Sequence, residues 1–136
     1  MTGETRTDEF VSAAHFRAAL RSFQRVAERL ARDAGLTPQR YLLLLMIRGA
    51  PNGSASARVT ELADQLQLAQ STVTELVNRA EGAGLVERRQ SSKDARVVDV
   101  RVTAEGERRL ALVLRKLRTE RDDLQAAIQE LPATNS

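Results

Sequence analysis

The chain has 136 residues, 42% of them hydrophobic, and a formal net charge of +3 at neutral pH, which suits one compact domain but not two independent ones. The absence of cysteine excludes a disulfide framework, a thiolate metal site and a thiol sensor, and the single histidine, His15, excludes a multi-histidine metal site within one chain. No apolar run reaches the roughly 18 residues of a membrane span, and the polar N-terminus is unlike a signal peptide, so we expect a cytoplasmic protein with no membrane association.

Two helices are predicted in the first part of the chain. The first covers about residues 8–34, where apolar side chains recur at spacings of four and three, as in a helix packed along another helix. The second starts with Thr37 as N-cap and Pro38 at the first helical position, and Gly49 ends it. Its segment 42–47 is apolar all round, which predicts burial on most sides.

Two shorter helices are predicted after a Pro/Gly/Ser loop at residues 50–57. Thr60 is the expected cap of the first, whose inward face is Leu62, Ala63 and Leu66. The second carries one apolar stripe at i, i+3, i+4 and i+7, made of Val73, Leu76, Val77 and Ala80. Its polar face offers donors and acceptors suited to bases and phosphates in a major groove, although an ordinary solvated face is the alternative. The candidate DNA contacts on this helix are Gln70, Ser71, Thr72, Thr74, Glu75, Asn78 and Arg79.

A β-hairpin is predicted next, with strands at 85–90 and 97–103 around the turn "SSKDAR". Cations and anions are equal in number between residues 58 and 101, so an argument for nucleic acid rests on arrangement. The hairpin tip has a local excess of positive charge where phosphates would lie, although charges that serve only solubility are the alternative. The candidate contacts here are Arg88, Arg89, Ser92, Lys93 and Arg96. Asp94 is expected to be structural, accepting hydrogen bonds from turn amides and from a neighbouring arginine.

A long helix is predicted over residues 104–131, with Thr103 as its N-cap. Its apolar seam at four-three spacing comprises Leu110, Leu114, Leu117, Leu124, Ile128 and Leu131, and Arg121 stands where an apolar residue is expected. A small chain with two such seams can pair its terminal helices with each other, or it can pair them with those of a second subunit.

The order of these elements resembles the MarR family of bacterial transcription regulators over nearly the whole chain. The motifs that carry the resemblance are "STVTELVNR", "GLVERR" and the run formed by Asp94, Arg96 and "VRVTAEG". The resemblance implies a mainly α (α+β) winged helix-turn-helix fold in a single domain over residues 1–136. Within it, residues 58–102 would form the DNA-binding lobe, and residues 8–34 and 104–131 the dimerisation helices.

The same resemblance implies a homodimeric regulator, expected to be a repressor, on a pseudo-palindromic DNA operator. The helix that begins near Gln70 would enter the major groove, and Arg96 would reach the minor groove. The expected dimer contacts are Phe16, Leu20, Leu117, Leu124 and Ile128. Two departures from the family pattern stand out: Ala69 cannot cap the recognition helix, and Glu75 on the presumed DNA face would repel phosphate.

The resemblance also implies a small aromatic or anionic effector, for which His15, Arg17, Tyr41 and Met46 are the candidate pocket residues. No cofactor is expected. The sequence shows no nucleophile with a base and no paired carboxylates, which argues against an enzyme. A winged helix used only for protein contacts is the other alternative. Such an adaptor would be expected to lose the donor-rich face of residues 70–79, which this chain keeps.

Overall fold

The computed structural model of the chain describes residues 5–91 and 93–131. Within them, six helices accompany one small antiparallel sheet, in agreement with the predicted mainly α class. The elements in chain order are α1 (Thr7–Asp33), α2 (Pro38–Arg48), β1 (Ser56–Ala57), α3 (Val59–Leu66), α4 (Gln70–Gly82), β2 (Val86–Gln90), β3 (Val98–Val102), α5 (Ala104–Lys116) and α6 (Arg118–Gln129). No helix in this described part is long and apolar enough to cross a membrane.

The terminal helices α1 and α6 pack along each other within the chain. A hydrogen bond of 2.6 Å between His15 Nδ1 and Glu130 Oε2 joins the first half of α1 to the end of α6. The two helices therefore run antiparallel. Ala27 and Ala31 of α1 are buried, because small side chains let neighbouring helices approach closely. Of the two arrangements left open by the sequence, the intramolecular pairing is present in the chain.

Helix α2 lies at the centre of the core, in contact with α1, α3, α4, α5 and β3. Its predicted start is confirmed, since Thr37 Oγ1 accepts a hydrogen bond of 3.1 Å from the backbone N–H of Arg40. Tyr41, Leu43, Leu44 and Ile47 are buried, as the apolar run predicted. Leu42 is the exception, because it remains 44% exposed on the outer side of the helix.

The helix pair α3–α4 packs its predicted apolar faces inward, with Leu62, Val73, Val77 and Ala80 fully or almost fully buried. The predicted cap of α3 was wrong. The N-cap is Arg58 instead of Thr60, and the backbone N–H of Arg58 donates to Glu61 Oε1 at 2.8 Å. A glutamate three residues after the N-cap can satisfy a free N–H in this way, so the helix starts earlier than a search for Ser or Thr suggests.

The three strands form an antiparallel sheet in the order β1-β3-β2. The hairpin has the predicted position, and its register pairs Val86 with Val102 and Arg88 with Val100. Strand β1 lies in the segment predicted as a loop, where Ala57 pairs with Val100. Two residues are too few to show the alternation by which strands are recognised, so β1 depends on the presence of β3.

The single long C-terminal helix predicted from the sequence is divided into α5 and α6 at Leu117. The predicted N-cap is confirmed, since Thr103 Oγ1 accepts from the N–H of Gly106 at 3.1 Å and donates to the carbonyl oxygen of Gly84 at 2.7 Å. Leu110, Val113 and Leu117 are buried in the core. Apolar spacing indicates which side of a helix is buried, but it does not indicate an interruption of the helix at one residue. The division was therefore not predicted.

Candidate nucleic-acid interface

The polar face of α4 is open to solvent on the side opposite its buried stripe. Gln70, Ser71, Thr72, Glu75, Asn78 and Arg79 are exposed, as the sequence predicted for this face. Thr74 is half-buried, and its hydroxyl donates to the carbonyl oxygen of Gln70 at 3.0 Å. Its methyl group and hydroxyl are therefore partly committed to the helix itself. Glu75, Asn78 and Arg79 are exposed but hydrogen-bonded within the chain, whereas Gln70, Ser71 and Thr72 are exposed at the start of the face.

The start of α4 has no side-chain cap. Ala69 occupies the N-cap position in an extended conformation, with φ −62° and ψ 145°, and has no polar atom to offer the first-turn N–H groups. Four N–H groups at a helix start lack partners within the helix, and the helix dipole is positive there. Phosphate oxygens are suitable acceptors for such groups. The departure from the family pattern at Ala69 thus leaves the helix start available to an anion.

The turn of the hairpin is organised by Asp94. Its Oδ1 accepts from the backbone N–H of Arg96 at 3.0 Å and from Nε of Arg96 at 3.3 Å, and its Oδ2 lies 3.4 Å from Nη2. The pKa of Asp94 is lowered, first by the backbone hydrogen bond and then by the side-chain bond to Arg96, with a smaller effect from the charge of Arg58. These are the contacts expected of an aspartate that stabilises a turn.

The arginines of this surface are paired with carboxylates of the same chain. Arg79 Nη2 lies 2.6 Å from Glu75 Oε1, and Arg89 Nη2 lies 2.6 Å from Glu87 Oε1. Arg96, bound to Asp94, is still 92% exposed. Exposed pairs of this kind contribute about 0 to 1 kcal/mol each, so a phosphate can replace the carboxylate at small cost. The charge of Glu75 is thus balanced by Arg79 beside it.

Arg88 differs from these three arginines in burial and in the number of its partners. Its side chain is only 29% exposed, and it connects the hairpin to α4. Nη1 donates to Glu81 Oε1 and Nη2 donates to Asn78 Oδ1, both at 2.6 Å. Two of the residues predicted to contact DNA, Arg88 and Asn78, thus contact each other.

A polar cleft of about 540 Å³ lies on the outer face of the sheet, between the loop before β1 and the hairpin. Arg58, Arg89, Lys93 and Arg101 line it together with acidic and hydroxyl side chains. The sequence analysis did not include Arg58 or Arg101 among the candidates. Arg101 is paired with Ser56 of β1, so only recognition of that strand would have indicated a basic cleft at this position.

The remaining hairpin candidates are Lys93 and Ser92. Lys93 is exposed, and its backbone N–H donates to Ser91 Oγ at 3.2 Å. Ser92 lies outside the described residues, so its prediction as a DNA contact is neither supported nor opposed.

The four candidate residues for an effector pocket differ in their burial and in their contacts. Tyr41 is buried in the core, where burial raises the pKa of its phenol and the charge of Arg121 opposes that rise. Met46 packs against the same core. His15 is on the surface beside α6, bonded to Glu130. Arg17 lines an open groove on α1 with Arg21 and Arg25. A pocket formed by these residues stays a prediction.

The predicted dimer contacts differ in their exposure. Phe16, Leu20 and Leu124 are half-buried, and Ile128 is 49% exposed. Leu117 is completely buried in the core of its own chain, so it has no surface left for a second subunit. Phe10 and Val11, near the start of α1, are more exposed than any of these. They lie at the same end of the helix pair as Ile128, because His15 contacts Glu130.

Among the described residues, no group of three or more His, Asp or Glu side chains is placed to hold a metal ion. His15 Nδ1 and several carboxylates instead bond to side chains of a neighbouring element or of the same helix.

Comparison with known proteins links both the sequence and the fold to one group. Residues 34–97 match the sequence model of the MarR family. The HTH-type transcriptional repressor MdtR of Bacillus subtilis (strain 168) is 32% identical over 80 residues, which are 59% of this chain and 49% of MdtR. The chain thus spans about half the length of this curated relative.

Solved structures extend the likeness beyond the matched segment. The YusO protein from Bacillus subtilis superimposes with a TM-score of 0.63 and 25% identity, covering 92% of this chain and 94% of YusO. A MepR mutant from S. aureus, bound to an oligodeoxyribonucleotide, has a TM-score of 0.65 and 17% identity over 84% of this chain and 81% of MepR. The winged helix-turn-helix architecture is therefore shared over most of the length.

Proposed function

Because residues 34–97 match the sequence model of the MarR family and the fold is like that of its solved members, we propose that the chain is a MarR-type winged helix-turn-helix repressor that binds operator DNA as a homodimer. Members of this family are regulators of transcription and not enzymes. In the proposed complex, α4 lies in the major groove and the turn between β2 and β3 contacts the backbone and the minor groove. Gln70, Ser71, Thr72 and Asn78 would face bases or phosphates, and Arg96 would enter the minor groove.

The observation that carries the proposal is the joint exposure of two surfaces that DNA-binding requires. The uncapped start of α4 and its polar face are open to solvent, and the exposed guanidinium of Arg96 extends from the hairpin turn. Arg88 connects the two through its bonds to α4, so helix and hairpin keep a constant relative position. The bound oligodeoxyribonucleotide of the similarly folded MepR supports the same use of the fold.

Dimerisation is proposed through the outer surfaces of α1 and α6. Phe10, Val11 and Ile128 are exposed at the same end of the helix pair, and exposed apolar side chains that cluster are typical of interaction surfaces. Phe16, Leu20 and Leu124 are partly exposed beside it. A two-fold dimer would place its two α4 helices about 34 to 36 Å apart, which requires an operator with inverted half-sites.

Release of DNA by a small effector rests on the family resemblance alone. For such an effector, His15, Arg17, Tyr41 and Met46 remain the candidate pocket residues.

The proposal is tested by selecting bound fragments from genomic and random DNA. We expect an enriched inverted repeat and retarded migration of a duplex that contains it. Arg96→Ala should weaken binding to the selected duplex and to random DNA alike, since its contact is to the groove and backbone. Arg17→Ala, which removes an exposed cation from the far helix α1, is the matched control and should bind as the parent does. Failure to enrich any sequence would instead favour an adaptor that contacts proteins.

A further inference from the structure

The contact between Arg88 and Asn78 restricts what Asn78 can do on DNA. Arg88 is in register with the buried Val100 of β3, so its side chain leaves the sheet on the inner side, toward α4. Its two terminal nitrogens are both used, one on Glu81 Oε1 and one on Asn78 Oδ1, each at 2.6 Å. Charge-assisted bonds of this kind are roughly twice as strong as neutral ones.

The orientation of the Asn78 amide follows from the chemistry of its partner. A guanidinium has only N–H donors, so the amide atom that faces it must be the oxygen. A flipped amide would place two donors against each other. With Oδ1 directed to Arg88, Nδ2 points away, and within the described residues it makes no hydrogen bond. The exposed part of Asn78 is therefore a donor.

Free asparagine commonly reads adenine with two bonds, accepting from N6 through Oδ1 and donating to N7 through Nδ2. That pairing needs both amide atoms on the DNA side. We propose that Arg88 is a positioning residue that holds Asn78 Oδ1 away from the duplex, so that Asn78 binds a hydrogen-bond acceptor on DNA through Nδ2 alone. The inference rests on the proposed function.

Two sources of acceptor have the required chemistry. One is a base edge, where guanine offers N7 and O6 side by side in the major groove, and the other is a phosphate oxygen. In both, the adenine N6 amino group contributes nothing. We expect Arg88 itself to make no phosphate contact, because both of its terminal nitrogens already donate to side chains of α4 and its side chain is mostly covered.

The experiment measures binding of the full-length protein to modified versions of the selected operator. Each purine is replaced in turn by its 7-deaza analogue, each adenine by purine without the N6 amino group, and each phosphate by a methylphosphonate. The same set is measured with Asn78→Ala. A loss of affinity is assigned to Asn78 only if the modification that causes it has no effect on this variant. We expect one position at which the affinity falls by about tenfold, which corresponds to one hydrogen bond. If it is a 7-deaza position the acceptor is a base, and if it is a methylphosphonate position the acceptor is a phosphate.

An Asn78-dependent loss at an adenine that lacks N6 would overturn the inference, and so would an Asn78→Ala protein that binds the unmodified operator as the parent does. An unselective or absent interaction of the parent with DNA would count against the proposed function itself, and it is seen before any analogue is used.

The role of Arg88 is tested with Arg88→Met, which keeps the length of the side chain and removes its donors. Freed from Arg88, the amide can rotate, so we expect a new penalty for removing N6 from an adenine near Asn78. The salt slope of binding should stay that of the parent, whereas Arg96→Ala should reduce it by about 1.8, since each subunit of the dimer loses one phosphate contact worth about 0.9. Arg88→Lys, which retains the charge without the two-pronged geometry, serves if Arg88→Met is poorly folded. A salt slope reduced by about 1.8 in either variant would make Arg88 a phosphate ligand in both subunits and overturn its positioning role.

Discussion

Gly106, in the first turn of α5, lies where that helix passes closest to the beginning of β2. A Cβ atom added there would lie 2.3 Å from the carbonyl oxygen of Leu85 and 2.8 Å from Cγ1 of Val102. The backbone carbonyl cannot move without disturbing the hairpin, because the N–H of Thr103 also bonds to it, at 3.0 Å. At this position the absence of a side chain is a packing requirement.

Gly106→Ala should therefore destabilise the protein, although alanine is the better helix former. Overpacking typically costs about 1 to 3 kcal/mol, which outweighs the gain of about 1 kcal/mol in helix propensity. Urea unfolding followed by circular dichroism measures the difference. Gly82→Ala, at the end of α4 where no atom lies within 4 Å, is the control and should be neutral or stabilising. Equal stability of the two variants would refute the close contact.

At the scale of single elements, the start of α4 combines a missing side-chain cap with a proposed role in binding phosphate. Ala69 leaves first-turn N–H groups without a side-chain acceptor, which costs helix stability but keeps those groups available to phosphate. A capping side chain would compete with DNA for the same donors.

Ala69→Asp should raise the free energy of unfolding by about 0.5 to 2 kcal/mol and weaken DNA binding, since the new carboxylate both occupies the N–H groups and repels phosphate. Ala69→Ser adds the cap without the charge and should stabilise similarly, with a smaller loss of affinity. Thermal unfolding and operator binding are measured on both. Undiminished DNA affinity in Ala69→Asp would show that the helix start does not meet the duplex.

The start of α5 depends on Glu105, which accepts from Arg108 at 2.6 and 3.0 Å and from Arg109 at 2.9 Å. The hydrogen bonds from Arg108, and then from Arg109, lower its pKa to about 2. Arg109 also donates to the carbonyl oxygen of Gly35 at 3.1 Å, so this cluster links α5 to the turn after α1.

A carboxyl group with a lowered pKa in the folded protein stabilises the fold at pH values above its ordinary, unfolded-state pKa. This stabilisation is lost as the pH falls through the pKa of the folded protein. The melting temperature of Glu105→Gln should therefore lie below that of the parent at pH 7. The difference should shrink between about pH 4.5 and pH 2 and vanish below it. Glu28→Gln, which removes a carboxylate without an ion pair among the described residues, should show no such window. A difference that is constant with pH would exclude the ionic contribution.

At the scale of the whole molecule, the arginines of the surface proposed for DNA form ion pairs with carboxylates of the same chain. Each of Arg79, Arg88, Arg89 and Arg96 lies beside a carboxylate, so the surface proposed for DNA is not strongly basic in isolation. Binding then exchanges a carboxylate for a phosphate at each exposed arginine. Non-specific attraction to DNA should be correspondingly weak.

The affinity for the selected operator should fall steeply with salt, because each phosphate contact releases condensed counterions. With about six contacts per dimer, the slope of log K against log salt should be about −5. Fluorescence anisotropy at several salt concentrations measures it. A response close to flat would contradict a phosphate-mediated interface and agree with a protein adaptor.

Dimerisation through the terminal helices predicts that Ile128→Asp shifts the protein from dimer to monomer at micromolar concentration, since a charge would be buried in the interface. Analytical ultracentrifugation measures the molar mass. Val98→Asp is the matched control, because Val98 is exposed to a similar extent, 43%, but lies on the hairpin. A monomeric parent, or an Ile128→Asp protein that remains dimeric, would exclude this interface.

Local regularities in the sequence determined most of the helices and the hairpin. The bounds of α1 and α2 and the buried stripe of α4 follow from apolar spacing, and the caps at Thr37 and Thr103 follow from residue type. These are interactions between residues three or four apart, which a sequence displays directly. The polar face of α4 was predicted for the same reason.

Only the tertiary structure decided how those elements use their side chains. Strand β1, the division at Leu117 and the burial of that leucine in the chain's own core depend on neighbours distant in sequence. So does the contact of Arg88 with Asn78, ten residues earlier, which the sequence presents as two independent candidates for DNA. A charge or an amide can be read from the sequence, but its partner is set by which elements pack together, and that partner decides whether its hydrogen bonds remain available to a ligand.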